Sequence, residues 1–202
     1  MYLSRLTLPQ GHPETHRLLG SLDVLQGSIM RAFPDNAGRV LFRIEPDLRR
    51  ASHTVILVQS EDEPLWSKAP MPSGANTEHK QVEATFVAGE RLRFRLRANP
   101  TVKKRRDGMM NGNRVPIVRE EEQRAWLERK GATGGFKPDG IVIIDEGTIT
   151  DCKPSGTVVT FRSVRFEGVL QVTQPDIFAR TVRAGIGSGK AFGFGLLSLA
   201  RA

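Results

Sequence analysis

Residues 91–97 read Arg-Leu-Arg-Phe-Arg-Leu-Arg. Strict alternation of charged and apolar residues predicts a β-strand. Successive side chains leave opposite faces of a strand, so Arg91, Arg93, Arg95 and Arg97 share one face and Leu92, Phe94 and Leu96 share the other. Same-face residues lie roughly 6.5–7 Å apart, close to the spacing of phosphates along a nucleic-acid strand. After Pro100 come Lys103, Lys104, Arg105 and Arg106, then Arg114 and Arg119. The 202-residue chain has a net charge of +8, and the segment from Gly89 to Arg119 alone holds an excess of that size. A field that local points to a polyanionic partner. The competing explanation is a solvated strand face that discourages edge-to-edge pairing. Charge alone does not choose between RNA, DNA and an acidic protein.

The hydrophobic content of 39% and charged content of 26% are those of a globular chain able to bury a core. The single cysteine, Cys152, excludes an intrachain disulfide framework and a multi-cysteine zinc site, and fits a reducing cytoplasm. No run of 18 apolar residues is present, so no membrane span is expected. The opening Met1-Tyr2-Leu3-Ser4-Arg5-Leu6 lacks the apolar core of a signal peptide and predicts a strand.

Tyr2–Leu8 reads as a strand and Gly11–Glu14 as a loop. Leu18, Leu22, Leu25, Ile29 and Phe33 recur at helical spacing, with Ser21 as a candidate N-cap and Pro34 as a stop. Strands are expected over Val40–Glu45, His53–Ser60 and Gln81–Val87, with a Pro-rich loop before the last. From Gly89 the pattern repeats. The arginine strand comes first, then a turn-rich basic loop over 108–113 and a helix over Glu120–Lys130 with acids in its first turn. Strands at Ile141–Ile144 and within Val158–Val172, a helix opened by Pro175, and a strand at Leu196–Leu199 follow. The order predicts an α+β protein of two tandem ferredoxin-like (RRM-like) domains, 1–88 and 89–202.

Glycines 185, 187, 189, 193 and 195 surround Lys190. A nucleotide P-loop needs G-x-x-x-x-G-K-[ST]. Here Ala191 follows Gly189-Lys190 and Ala184 occupies the first glycine position, so the match fails twice. A dinucleotide fingerprint would follow a strand and open a helix, the reverse of the order here. Two readings stand: a backbone that lets a phosphodiester approach closely beside Lys190, or a tight helix-to-strand turn.

Several segments together resemble the CasE family of type I-E CRISPR-associated endoribonucleases. They are Arg95-Leu-Arg97-Ala-Asn99-Pro100, Ala125-Trp126-Leu127, Phe166-Glu167-Gly168-Val-Leu and the tail from Gly185 to Ser198, with the opening Met1-Tyr2-Leu3-Ser4. The resemblance runs in order over nearly the whole chain. It implies a tandem ferredoxin-like protein that binds the stem-loop of a CRISPR repeat RNA. It also implies metal-independent cutting at the 3′ base of that stem, with no cofactor, and retention on the product among other Cascade subunits. The candidate RNA contacts, read from the charge pattern and the glycine turn, are Arg91, Arg93, Arg95, Arg97, Lys103, Lys104, Arg105, Arg106, Arg114, Gly187, Gly189 and Lys190.

Family members use a tyrosine and a histidine three residues apart on the first helix, helped by a basic residue of the second domain. Alignment through Ile29, Ala32 and Phe33-Pro34 puts Asp23 and Gln26 at those positions. Tyr2 is the only tyrosine, so no shift restores the pair. Gln26 can hydrogen-bond a phosphate or hydroxyl but cannot exchange a proton near neutral pH. Asp23 could act as a base, yet its charge would repel the scissile phosphate. His16 and Lys153 are the candidate stand-ins; the competing readings are a surface histidine on an N-terminal loop and an ordinary hairpin-tip lysine. The expectations are therefore an active endoribonuclease, a hairpin-holding subunit that cuts slowly or not at all, or, outside that family, a basic protein that binds acidic partners.

Overall fold

The computed structural model describes residues 1–46, 52–104, 113–152 and 155–202. The first half runs β1 (Tyr2–Pro9), α1 (Pro13–Leu19), α2 (Leu22–Met30), β2 (Val40–Ile44), β3 (His53–Ser60) and β4 (Asn76–Gln81). The second half runs β5 (Arg91–Ala98), β6 (Thr101–Lys104), β7 (Asn113–Pro116), α3 (Glu120–Gly134), β8 (Phe136–Cys152), β9 (Val158–Val172), α4 (Pro175–Ala184) and β10 (Leu197–Arg201). The two main sheets are antiparallel with orders β2-β3-β1-β4 and β10-β5-β9-β8. Each is the fourth-first-third-second order of a ferredoxin-like sheet, so the protein is an α+β tandem of that fold.

Alternation explains both cores. On β5, Leu92, Phe94, Leu96 and Ala98 are buried and join Trp126, Leu127, Phe136, Phe166, Phe178 and Val182. Leu6, Leu8, Leu18, Leu25, Ile29, Phe42 and Ile56 form the core of the first sheet. A short 3₁₀ turn, Trp66–Lys68, stands where the second helix of the first unit would be. Trp66 fills that place, packing edge-on to Phe33 and donating its indole N–H to Ser4.

Three expectations need correction. The periodic leucines belong to two helices, because the chain breaks at Gly20-Ser21. Ser21 does cap α2, accepting from the Val24 N–H at 3.4 Å. His16 lies within α1. The fourth strand is Asn76–Gln81, and most of the stretch expected as strand, 82–87, is irregular. Its alternating apolar residues include Phe86, which crosses to the second core and meets the Phe178 ring edge-on at 4.6 Å. Finally, the short strand expected at 141–144 is the middle of a 17-residue strand, kinked by register shifts near Asp139 and Asp145.

Candidate nucleic-acid interface

The arginine face of β5 is not an open cationic surface. Arg95 donates to Glu167 at 2.8 Å and to Glu45, just after β2, at 2.7 Å. Arg97 donates to Glu146 at 2.7 Å and Ser163 at 2.9 Å, and Arg91 to Asp139 at 2.8 Å. Arg165 joins the same acids, reaching Glu146 and Glu167. Burial alone would raise the Glu146 carboxyl, but Ser163, Arg97 and Arg165 outweigh it and hold the group below its ordinary range. Only Arg93 of the four lacks an ion pair among the described residues. The partners lie outside β5, so the charge of this strand face is largely compensated in space.

Arg43 ties the two sheets together through this network. Its side chain is 2% exposed. Its Nε donates to Glu45 at 2.7 Å and its Nη1 to the carbonyls of Arg95 and Leu196 at 3.1 and 3.2 Å. Nη2 reaches Ser198 Oγ at 2.9 Å. Every bond except that to Glu45 crosses to the second sheet.

Unpaired cations cluster instead around the glycine-rich tail. Lys103 and Arg114 lie directly opposite each other on the β6–β7 ribbon. Like charges so placed repel. Neither has an acidic partner among the described residues. With Asn99, Trp126, Lys130 and Ser188 they line a cavity of about 190 Å³. A second hollow of about 390 Å³ adjoins it, lined by Lys130, Arg180 and Lys190 among others. Lys190 donates to the Ala184 carbonyl at 2.7 Å. Burial lowers the pKa of its ammonium, and the nearby positive charges of Arg39 and Lys130 lower it further.

Both readings of the glycines bear on the geometry. Gly185, Gly187, Gly189, Gly193 and Gly195 all have φ between +73° and +90°. A Cβ on Gly185 would sit 2.7 Å from Leu41 Cδ1, and one on Gly189 would press on Phe194 and Phe161. The loop is a tight turn wedged between the two units, stapled to β5 by Asn99 and Ser188. That packing fixes Lys190 at the mouth of the basic hollow.

Asp23 and Gln26 are one turn apart on α2 and both partly buried. Gln26 lines a cavity of about 700 Å³ with Arg39, Glu61, Arg180 and Arg183. The Asp23 backbone N–H donates to Asp151 Oδ2 at 3.0 Å, and Ser21 Oγ–H to the same oxygen at 3.4 Å. Asp151, on β8 and 6% exposed, therefore caps α2 from the second unit. His16 is exposed and absent from the Gln26 cavity. Lys153, Arg105, Arg106 and the 108–112 part of the basic loop lie outside the described residues, and of Lys104 only the backbone is described. Lys130, Asp151, Arg39, Arg180 and Arg183 were not visible as site residues in the sequence. The three-residue spacing of Arg180 and Arg183, on one face of a helix, was the available signal.

A charged cleft around a glycine turn on a tandem ferredoxin-like frame defines a nucleic-acid-binding class of protein. The family described as CRISPR associated protein matches residues 1–201. The CRISPR-associated endoribonuclease Cse3 of Thermus thermophilus is 34% identical over 198 residues, covering 93% of this chain and 89% of that protein. The CRISPR system Cascade subunit CasE of Escherichia coli K12 is 36% identical over 176 residues, covering 83% of this chain and 84% of its own length. A solved structure of Cse3 bound to a 19-nucleotide RNA superposes with a TM-score of 0.87 at 33% identity, covering 99% of this chain and 100% of that one. The chain belongs to this CRISPR-associated family, as a member of its CasE branch.

Proposed function

We propose that the chain binds the stem-loop of a CRISPR repeat RNA, processes it at the 3′ base of the stem, and stays with the product among Cascade subunits in the cytoplasm. The observation that carries the reading is the set of cations without acidic partners among the described residues, Lys103, Arg114, Lys130 and Lys190, gathered along the glycine turn in a chain so similar to an RNA-bound relative. Gly187 and Gly189 let the backbone come near a phosphate there, and Lys104, Arg105 and Arg106 add positive charge to the same stretch of sequence. Arg93 adds charge from β5. Arg91, Arg95 and Arg97 act mainly through the acids they hold.

The chemistry needs no metal. The 2′-oxygen next to the cut forms a bond to phosphorus, the P–O5′ bond breaks, and a 2′,3′-cyclic phosphate and a 5′-hydroxyl result. The 2′-OH proton leaves as the bond forms, and O5′ takes up a proton as it departs. Positioning, charge stabilisation and proton transfer share the work. Gln26 supplies a hydrogen bond to phosphate or hydroxyl and no proton exchange, and Asp23 turns an anion towards the same face. The site thus keeps positioning and loses the side-chain acid or base of α2, with His16 or Lys153 as the remaining candidates to serve. A holding role with no cutting is favoured by that same loss.

The test is a gel assay of the full chain with its cognate repeat hairpin in EDTA. One substrate is all RNA and the other carries a 2′-deoxy at the expected cut. Slow cleavage of the first and none of the second is expected. Both RNAs bound and intact would establish the holding role, and cleavage of both would overturn the 2′-OH mechanism.

A further inference from the structure

The lining of the Gln26 cavity includes none of Lys103, Arg114 and Lys130, and Ala191 of the glycine turn forms part of its wall. Arg39 comes from the segment before β2, and Arg180 and Arg183 from α4. All three are exposed, and none has an acidic partner among the described residues. That sets them apart from Arg43, Arg95, Arg97, Arg162 and Arg165, all committed to internal carboxylates. Glu61 is the one acid in the lining, so the cavity keeps a positive excess. Its volume, about 700 Å³, falls in the range of small-ligand pockets, room for nucleotides of a single strand rather than a duplex.

We propose that this cavity binds the single-stranded RNA immediately 3′ of the cut, with Arg39 and Arg183 on its phosphates. The proposal rests on the hairpin reading above. A stem seated along the glycine turn with its 3′ base at Gln26 must send the following nucleotides onward, and Gln26 itself lines this cavity. Arg180 lines both this cavity and the neighbouring hollow, so it spans the passage between them. Phosphates held by guanidinium groups on both sides of the cut fix the line of attack. After cleavage only the stem side stays covalently attached to the hairpin, so the downstream fragment is held by this cavity alone.

The experiment compares equilibrium affinities of the full chain for three RNAs: a hairpin ending at the cut, the same hairpin with a short 3′ extension, and one with a 5′ extension of equal length. Any RNA that spans the cut carries a 2′-deoxy there. The 3′ extension is expected to tighten binding about tenfold near 0.1 M salt, and the 5′ extension to leave it within about twofold. Arg39→Ala with Arg183→Ala, both exposed residues that line this cavity and not the Lys130–Lys190 hollow, should abolish the gain and leave the affinity for the blunt hairpin within about twofold. The same variant should flatten the log–log salt slope for the 3′-extended RNA by about 1.4, the value for two single-strand phosphates. A native chain that binds blunt and 3′-extended hairpins equally would overturn the proposal while leaving hairpin binding intact. So would a gain confined to the 5′ extension, or a double variant that weakens both RNAs alike. Failure to bind any of the three would overturn the hairpin reading and this one together.

Discussion

Gln26→His is expected to raise the cleavage rate of the repeat hairpin by roughly 10²-fold, with affinity changed little. Position 26 is partly buried on α2, faces a cavity lined by three arginines, and carries a side chain that cannot exchange protons. An imidazole there would supply the missing acid or base near neutral pH. Adding Asp23→Tyr should raise the rate further, because it removes an anion from the same face of the helix. Asp151 caps α2 through the Asp23 backbone N–H, so neither change disturbs the capping bond. The measurement is single-turnover cleavage in EDTA, which separates chemistry from product release. An unchanged rate in both variants would mean that the reacting phosphate does not sit at α2.

Arg43→Ala is expected to cost about 3–5 kcal/mol, because it leaves Glu45 in a protected site with no Arg43 partner and strips donors from two carbonyls of the second sheet. For a chain of this size that corresponds to a fall of roughly 10 °C in Tm. Arg95 would still reach Glu45, which places the loss at the lower end of that range. A thermal melt monitored by circular dichroism checks it, and a shift of under about 2 °C would mean that the sheets do not depend on this side chain.

Much of the frame was legible because it rests on local pattern. Alternation over 91–97 specified β5 and its buried face, and the order of strands and helices in each half pointed to the ferredoxin-like sheet topology. Ser21 announced the start of α2. The errors arose where one local pattern serves two tertiary roles. Leucines at helical spacing run through the break at Gly20 because α1 and α2 bury residues in one core. Apolar alternation over 82–87 looks like a strand, but Phe86 is drawn to the second core.

The site was harder to read for a related reason. The acids that compensate Arg95 and Arg97 lie 50, 72 and 49 residues away in sequence, so a count of local charge could not register them. The cations left without acidic partners are dispersed. Lys130 sits on α3, Arg39 before β2, and Arg180 and Arg183 on α4, and only folding brings them to the glycine turn. Asp151 could not be recognised as the cap of a helix 128 residues earlier.

The central claim is that this surface holds a repeat stem-loop through phosphate contacts. Its most direct test is the affinity of the full chain for the 2′-deoxy-protected hairpin between 50 and 200 mM salt, beside an unpaired RNA of the same composition. The account predicts tight hairpin binding that falls by on the order of 10³-fold across that range, with the unpaired RNA bound far more weakly throughout. Weak binding, indifferent to salt and equal for the two RNAs, would contradict it.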